Sequence, residues 1–202
     1  MTAPQIGVLA LQGAVAEHVR ALETAGAEAR TIRRPSELEG LDGLVVPGGE
    51  STTMARLAAP VGLMEAVQER HDAGLALFGT CAGLILLAER VTDAEALAGF
   101  ARIGGLDVVV RRNGYGSQLD SFTEDLRIPG LPGEEGPLRA VFIRAPVIEQ
   151  TGEDVEVLAT AGAGGVRRPV AVRQGRILAA SFHPELTEDV RLHRLFVQTA
   201  RS

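Results

Sequence analysis

The sequence contains no lysine, no tryptophan and a single tyrosine, so it lacks side chains on which several common binding sites depend. Without lysine, the chain has neither the cation of a P-loop nor an amine for imine chemistry. Only 3% of the residues are aromatic, which disfavours binding of single-stranded nucleic acid by stacking. The net charge of -6 is a further argument against nucleic acid or an anionic membrane as the main partner.

Cysteine is also scarce, since Cys81 is the only one in the chain. A lone cysteine cannot form an internal disulfide, and this favours a reducing compartment. The apolar run at residues 5–11 is too short for a membrane span and follows no basic segment. We therefore expect a cytoplasmic protein without a targeting signal or membrane anchor.

The apolar residues, 46% of the total, form a pattern that predicts an α/β fold in one domain, residues 1–202. In the first half, the predicted strands are residues 5–11, 28–33, 43–49 and 75–79, and the predicted helices are 14–26, 51–58, 60–73 and 82–90. This alternation indicates a mostly parallel sheet with helices on both faces. The second half is rich in strand-like segments: 106–112, 139–146, 155–161, and 169–175 with 176–182 as a hairpin. A loop at 129–138 and a final helix at 187–200 complete the prediction.

The motif Gly-Thr-Cys-Ala-Gly at residues 79–83 lies between a predicted strand and a predicted helix. It is the thiol form of a nucleophile elbow, in which small neighbours permit a sharp turn that exposes the nucleophile at the sheet edge. The start of the next helix favours a thiolate because it carries partial positive charge. We predict that Cys81 is a nucleophile and that the N–H of Ala82 faces the oxyanion formed by its attack. The alternative is a buried cysteine with a packing role.

A cysteine nucleophile needs a base and a group that orients the base, and His183 with Glu185 fits both roles. His183 follows the last predicted strand, and the ends of strands are where open α/β sheets build their sites. Glu185 lies two residues further on, so its carboxylate can hold the imidazole tautomer. The other histidines, His18, His71 and His193, lie in predicted helices, and we expect solvated or packed surface positions for them.

The segment Val-Val-Pro-Gly-Gly-Glu-Ser-Thr at residues 45–52 follows another predicted strand and should reach the same sheet edge. Its two glycines offer unobstructed N–H groups that suit an oxyanion site. Ser51 is the predicted N-cap of the next helix. The alternatives are a plain turn and a phosphate-binding loop, and the latter is weak because the chain has no lysine.

Three motifs, "VVPGGEST", "GTCAGLILLA" and "SFHPEL", in this order and spacing, resemble the class I glutamine amidotransferases. Three further segments, "GVLALQGAVAEH", "RNGYGSQLDSF" and "FIRAP", are similar to one family within that class, the glutaminase subunits of pyridoxal 5′-phosphate synthase. The similarity covers about residues 5–197. It implies a three-layer α/β fold with a mostly parallel central sheet and antiparallel strands in the C-terminal half.

The resemblance also implies hydrolysis of L-glutamine to L-glutamate and ammonia through a cysteine thioester, without a cofactor or a metal ion. The implied partner is a synthase (lyase) subunit, to which the ammonia is channelled. The resemblance implies that the two subunits form a large ring-shaped hetero-oligomer. That subunit makes pyridoxal 5′-phosphate, a form of vitamin B6, from ribose 5-phosphate and glyceraldehyde 3-phosphate.

Matching the motifs residue by residue gives the site that the resemblance implies. The triad is Cys81, His183 and Glu185; the oxyanion donors are Gly49 and Ala82; the glutamine-binding residues are Gly49, Glu50, Ser51, Arg112, Ile143 and Arg144; and Gln12 lies at the partner interface. The chemistry of these residues agrees, because an arginine binds a carboxylate and Glu50 can pair with an ammonium. Because glycine tolerates several conformations, we expect the Gly48–Gly49 peptide to be misaligned until a partner docks.

Two features depart from that family. Ser117 stands where relatives usually carry a basic residue, and residues 131–138 look like a small insertion; we expect both to bear on partner contacts. Three alternatives also remain at this point. They are a glutaminase for another acceptor, a cysteine-elbow hydrolase or peptidase of related fold, and a non-catalytic module that regulates a synthase.

Overall fold

The structure, a computed structural model, describes residues 2–112, 121–133, 136–162 and 166–202. Ser117 and part of the predicted insertion therefore lie outside the described residues. The strands in the described ranges are β1 Gln5–Leu9, β2 Glu28–Ile32, β3 Gly43–Val46, β4 Ala76–Thr80, β5 Ala88–Val91, β6 Leu106–Arg111, β7 Ser121–Leu126, β8 Leu138–Ile143, β9 Val147–Thr151, β10 Glu156–Ala161, β11 Arg168–Gln174 and β12 Ile177–Ala180. The α-helices are α1 Val15–Thr24, α2 Ser51–Ala58, α3 Leu63–Asp72, α4 Ala82–Leu87 and α5 Arg191–Arg201. Short 3₁₀ helices span Pro35–Leu38, Ala59–Val61, Glu95–Leu97 and Pro184–Leu186.

The central sheet has seven strands in the order β10-β11-β12-β4-β3-β1-β2. The five strands from β12 to β2 are parallel to their neighbours, whereas β10, β11 and β12 pair antiparallel. The predicted α/β class, with a mostly parallel sheet and antiparallel strands near the C-terminus, is confirmed. The predicted hairpin is also present as β11 and β12.

Helices cover both faces of this sheet, because alternate strand residues point to opposite sides. On one face, Ile6 and Phe78 pack in a cluster with residues of α1 and α5. On the other face, Leu44 and Leu77 pack in a cluster with residues of α2, α3 and α4. Burial on both sides explains why the central strands have near-continuous apolar sequences.

Two smaller groups of strands flank the central sheet. One is a three-stranded sheet in the order β5-β6-β9, and the other is the antiparallel pair β7-β8. The N–H of His183 donates to the carbonyl of Val141 in β8, at 2.8 Å. This bond ties the segment after β12 to the end of β8.

The predicted helix at 82–90 is too long, since α4 ends at Leu87 and residues 88–91 form β5. Ala, Glu and Arg all favour a helix locally, but pairing with β6 outweighs that preference. Strands β7 and β9 were not predicted as separate strands. None of the helices in the described ranges is long and apolar enough to cross a membrane.

Candidate active site

Three parallel neighbours, β3, β4 and β12, bring the three sequence motifs to one edge of the central sheet. The glycine pair follows β3, Cys81 follows β4 and His183 follows β12 by three residues. Carboxyl ends of parallel strands share an edge, and open α/β sheets place their sites there. The predicted juxtaposition of the motifs is therefore present in the fold.

Cys81 occupies a strained turn between β4 and α4, as expected of a nucleophile elbow. Its backbone has φ 49° and ψ −105°, a conformation that is costly for any residue except glycine. Its N–H donates to the carbonyl of Ala180 at 2.8 Å, which anchors the turn to β12.

The flanking glycines are required by packing. A Cβ at Gly83 would overlap the carbonyl oxygen of Val46, and a Cβ at Gly79 would lie 2.6 Å from Cδ1 of Leu87. The elbow therefore fits against β3 and α4 only because both positions lack a side chain.

His183 and Glu185 are in direct contact. The imidazole Nδ1 lies 2.7 Å from Glu185 Oε1, and the glutamate side chain is fully buried. Burial would lower the pKa of His183, but hydrogen bonds with Cys81 and Glu185 and the charges of both outweigh it and raise that pKa to about 10. Since Nδ1 faces Glu185, Nε2 is the nitrogen available to the sulfur. The sulfur of Cys81 also lies 3.9 Å from the carbonyl of Ile143.

The pKa of His183 predicts the alkaline side of the pH profile. A raised pKa means that the imidazole keeps its proton up to about pH 10 and loses it only above that pH. We expect kcat/KM for glutamine to stay level through neutral pH and to fall with a midpoint near 10, because the acid for the leaving ammonia is then lost. Steady-state rates, with circular dichroism at each pH as the control for folding, measure this. A midpoint near 6.5, the ordinary value, would contradict the geometry.

A cavity of about 340 Å³ opens above this edge. Its lining includes every predicted site residue except Glu185, together with Ile85 and Pro146, which the sequence did not single out. The predicted residues are Gln12, Gly49, Glu50, Ser51, Cys81, Ala82, Arg112, Ile143, Arg144 and His183. Glu185 lies behind His183, where a carboxylate that orients the base is expected. The volume suits a small molecule such as an amino acid.

The glycine loop after β3 is held from three sides. The N–H of Gly48 donates to Thr80 Oγ1 at 3.0 Å, and a Cβ at Gly48 would overlap the ring of His183. The carbonyl of Gly48 lies against Gly13, where a Cβ would overlap it. One residue further on, the N–H of Glu50 donates to Gln12 Oε1 at 2.9 Å. Gln12, the predicted interface residue, is exposed, and its side chain is bonded to this loop.

The prediction that Ser51 is the N-cap of α2 is wrong. Ser51 is the first residue of the helix, and its side chain is buried. Glu50 is the cap, because its carboxylate accepts from the N–H groups of Thr52 and Thr53 at 3.1 and 2.7 Å. Burial raises the pKa of Glu50, but these hydrogen bonds outweigh it and hold the pKa below its ordinary value. A longer side chain one residue earlier satisfies the same helix N–H groups.

Two predicted substrate contacts are paired with each other. Arg112 Nη2 lies 3.3 Å from Glu50 Oε1 and the same distance from Thr52 Oγ1. Arg144 is exposed and has a positive φ of 44°, so a second strained residue lies at the mouth of the cavity. The cavity therefore has charged side chains of both signs in its lining.

The prediction of surface positions for His18 and His193 is wrong. Both side chains are fully buried, and His18 Nε2 lies 3.4 Å from Glu185 Oε2. The helical pattern contains the signal, because His18 lies four residues before the buried Leu22, on the same face of α1. His193 likewise lies four residues before the buried Val197 in α5. His71, by contrast, is half-buried and bonds to the carbonyl of Leu75 at 2.8 Å.

Within the described ranges, no group of three or more His, Cys, Asp or Glu side chains is arranged to hold a metal ion.

An elbow cysteine, a histidine and a buried glutamate at one sheet edge are the arrangement expected of a triad-type amidotransferase, and the comparisons identify a family of that class. The chain belongs to the SNO glutamine amidotransferase family, which it matches over residues 8–202. It is 57% identical over 202 residues to a "Pyridoxal 5′-phosphate synthase subunit PdxT" of a Parafrankia species, covering 100% of this chain and 96% of that one. It is 55% identical over 202 residues to the protein of the same description from Mycolicibacterium vanbaalenii, covering 98% of each.

A solved structure described as a glutamine amidotransferase has the same fold. It is 50% identical, with a TM-score of 0.87, and the match covers 98% of this chain and 99% of that one. The fold class that the resemblance implied is thereby confirmed.

Proposed function

We propose that this chain is the glutaminase subunit of a pyridoxal 5′-phosphate synthase. It hydrolyses L-glutamine to L-glutamate and ammonia and delivers the ammonia to a synthase subunit. The observation that carries the proposal is the elbow Cys81 beside the His183–Glu185 pair, at a cavity with charged side chains of both signs. The PdxT relatives support this acceptor and give no support to the peptidase or regulatory alternatives.

The first half of the reaction forms a thioester. The sulfur of Cys81 attacks the amide carbon of glutamine, and the carbonyl oxygen becomes an oxyanion held by the N–H groups of Gly49 and Ala82. His183 then gives its proton to the amide nitrogen, the C–N bond breaks and ammonia leaves. Glu185 holds the imidazole through Nδ1, so Nε2 is directed at the reacting atoms.

The second half releases glutamate. His183, now neutral, takes a proton from water, whose oxygen attacks the thioester carbon. The C–S bond breaks, glutamate leaves and the proton returns the pair of Cys81 and His183 to its starting state. No cofactor enters this balance.

Substrate recognition follows from the charges around the cavity. The α-carboxylate of glutamine is assigned to Arg112 or Arg144, and its ammonium to Glu50. Ser51 and Ile143 line the same space. Because Glu50 and Arg112 are paired at 3.3 Å, a bound amino acid inserts between or beside two side chains that are already close.

The partner follows from what this chain lacks. Joining sugar phosphates to ammonia through imines needs a lysine amine, and this sequence has none. The proposal therefore assigns the imine steps to a synthase subunit, which docks near the exposed Gln12 in a ring-shaped hetero-oligomer. A cytoplasmic location is part of the proposal and rests on the lone cysteine.

Ammonia release from glutamine, with and without the synthase subunit of the same organism, tests the proposal. We expect turnover to rise when the partner is added, because docking near Gln12 aligns the Gly48–Gly49 peptide and one oxyanion donor is worth about 10²–10³ in rate. With ¹⁵N-amide glutamine, label should enter the product ring even in excess unlabelled ammonium. Equal turnover with and without the partner contradicts the alignment hypothesis, and absence of turnover in both contradicts the function.

A further inference from the structure

The second oxygen of Glu185 lacks the contact that the first one has. Oε1 lies 2.7 Å from His183 Nδ1, but the buried Oε2 makes no hydrogen bond within the described residues. A buried carboxylate oxygen without a donor is costly. The nearest basic nitrogen is Nε2 of His18, at 3.4 Å. This pair lies on the side of the triad away from the cavity.

His18 belongs to a buried cluster that joins three elements. Its Nε2 also lies 3.2 Å from Thr80 Oγ1 at the end of β4, and its Nδ1 lies 3.0 Å from Nε2 of His193 in α5. Thr80 Oγ1 in turn accepts from the N–H of Gly48. The cluster therefore contacts both the triad and the loop that carries the proposed oxyanion donor Gly49.

Both histidines are neutral in this environment. Burial lowers the pKa of His18 well below its ordinary value, and the nearby His193 and His183 lower it further. Burial also lowers the pKa of His193 to about 4, although the charge of Asp189 opposes this. Each ring consequently carries one N–H, and its position is assigned from the hydrogen-bond network.

Hydrogen-bond accounting favours one tautomer of His18. With the proton on Nδ1, the Thr80 hydroxyl could donate to the bare Nε2, but that nitrogen would also face the carboxylate, and His193 would carry an N–H on Nδ1, a buried atom without a partner in the described residues. With the proton on Nε2, the N–H has two acceptors within reach, Thr80 Oγ1 at 3.2 Å and Glu185 Oε2 at 3.4 Å, and Nδ1 accepts from His193. The second arrangement gives the charged carboxylate a donor, and it leaves a bare nitrogen on His193 and a Thr80 hydroxyl proton that no longer has His18 as its acceptor.

We propose that His18 is a positioning residue for the triad: held in the Nε2–H tautomer by His193, it donates to Oε2 of Glu185. The carboxylate is then fixed at both oxygens and cannot rotate away from His183. The expected effect on turnover rests on the proposed function. The expected effect on the position of Glu185 and His183 does not. It makes α1 and α5 part of the support of the active site.

The wild-type protein provides the first test, which does not depend on any variant folding. Imidazole ¹⁵N shifts and two-bond couplings distinguish the two neutral tautomers. We expect His18 to be protonated on Nε2 and His193 on Nε2 at neutral pH. Protonation of His18 on Nδ1 overturns the proposal.

Three substitutions at residue 18 provide the second test. His18→Leu removes both nitrogens; His18→Gln keeps an amide at the reach of Nε2, towards Glu185; His18→Asn keeps one only at the reach of Nδ1, towards His193. We expect His18→Leu and His18→Asn to lower kcat by roughly 10- to 100-fold, the effect of losing a hydrogen bond to a charged group, with KM unchanged. His18→Gln should retain most of the activity. The three are compared at matched folded fractions, measured by thermal unfolding.

Alkylation of Cys81 by iodoacetamide separates this inference from the proposed function. The reaction needs no glutamine, and it reports one site because the chain has one cysteine. A loosened Glu185 weakens the imidazolium of His183, so His18→Asn should slow alkylation at neutral pH and His18→Gln should not. Equal alkylation and equal kcat in His18→Gln and His18→Asn would reduce His18 to a packing residue. If the two variants differ in alkylation as expected but the wild-type protein releases no ammonia from glutamine, the proposed function is refuted and the positioning role stands.

Discussion

Cys81→Ala is expected to abolish ammonia release from glutamine, with a loss on the order of 10⁶ in kcat, as for other triad nucleophiles. The chain offers no second thiol, so nothing can replace the sulfur. The fold should survive, because alanine occupies less volume and the elbow depends on the N–H of residue 81, which bonds to Ala180. An ammonia assay and a thermal melt of the same sample measure both statements.

The same variant separates the two halves of the proposed complex. External ammonium should still support pyridoxal 5′-phosphate synthesis when Cys81→Ala protein is mixed with the synthase subunit, since only the source of ammonia has been removed. Substantial ammonia release by folded Cys81→Ala protein would show that the sulfur is not the nucleophile. Loss of synthesis even with ammonium would show that residue 81 also affects the partner.

The parts of the site that sequence predicts well are those encoded locally. The elbow is predicted by the spacing of Gly79, Cys81 and Gly83, because a strained turn between a buried strand and a helix needs small residues at fixed spacing. His183 and Glu185 are similarly close in sequence. Each motif ends a buried strand, and parallel strands bring their ends together whatever the order of the strands.

The parts that were missed depend on contacts distant in sequence. His18 and His193 meet only because α1 and α5 pack side by side on one face of the sheet, 175 residues apart in the chain. Residues 88–91 become β5 by pairing with β6, which no local preference reveals. Glu50 replaces Ser51 as the cap of α2 because its longer side chain folds back onto the helix N-terminus.

In the presence of the synthase subunit, which is proposed to align the Gly48–Gly49 peptide, Gly13→Ala is expected to lower kcat by about 10²–10³, although residue 13 does not touch the triad. Gly13 has a φ of +96°, and a Cβ there would overlap the carbonyl oxygen of Gly48. That carbonyl belongs to the peptide whose N–H, on Gly49, is the proposed oxyanion donor. Displacing the oxygen turns the whole planar peptide, so the donor leaves its position.

Gly26→Ala is the matched control for this substitution. Gly26 has a similar φ of +90°, but a Cβ there would meet no heavy atom within 4 Å. Both variants therefore carry the same kind of backbone strain, about 1–2 kcal/mol, and should lose similar stability. With the synthase subunit present, only Gly13→Ala should lose ammonia release, while alkylation of Cys81 by iodoacetamide should continue in both, since neither substituted residue itself contacts His183 or Glu185. If Gly13→Ala were as active as Gly26→Ala, the Gly48–Gly49 peptide would not control the oxyanion site. If alkylation and turnover fell together, the loop would act on the nucleophile itself.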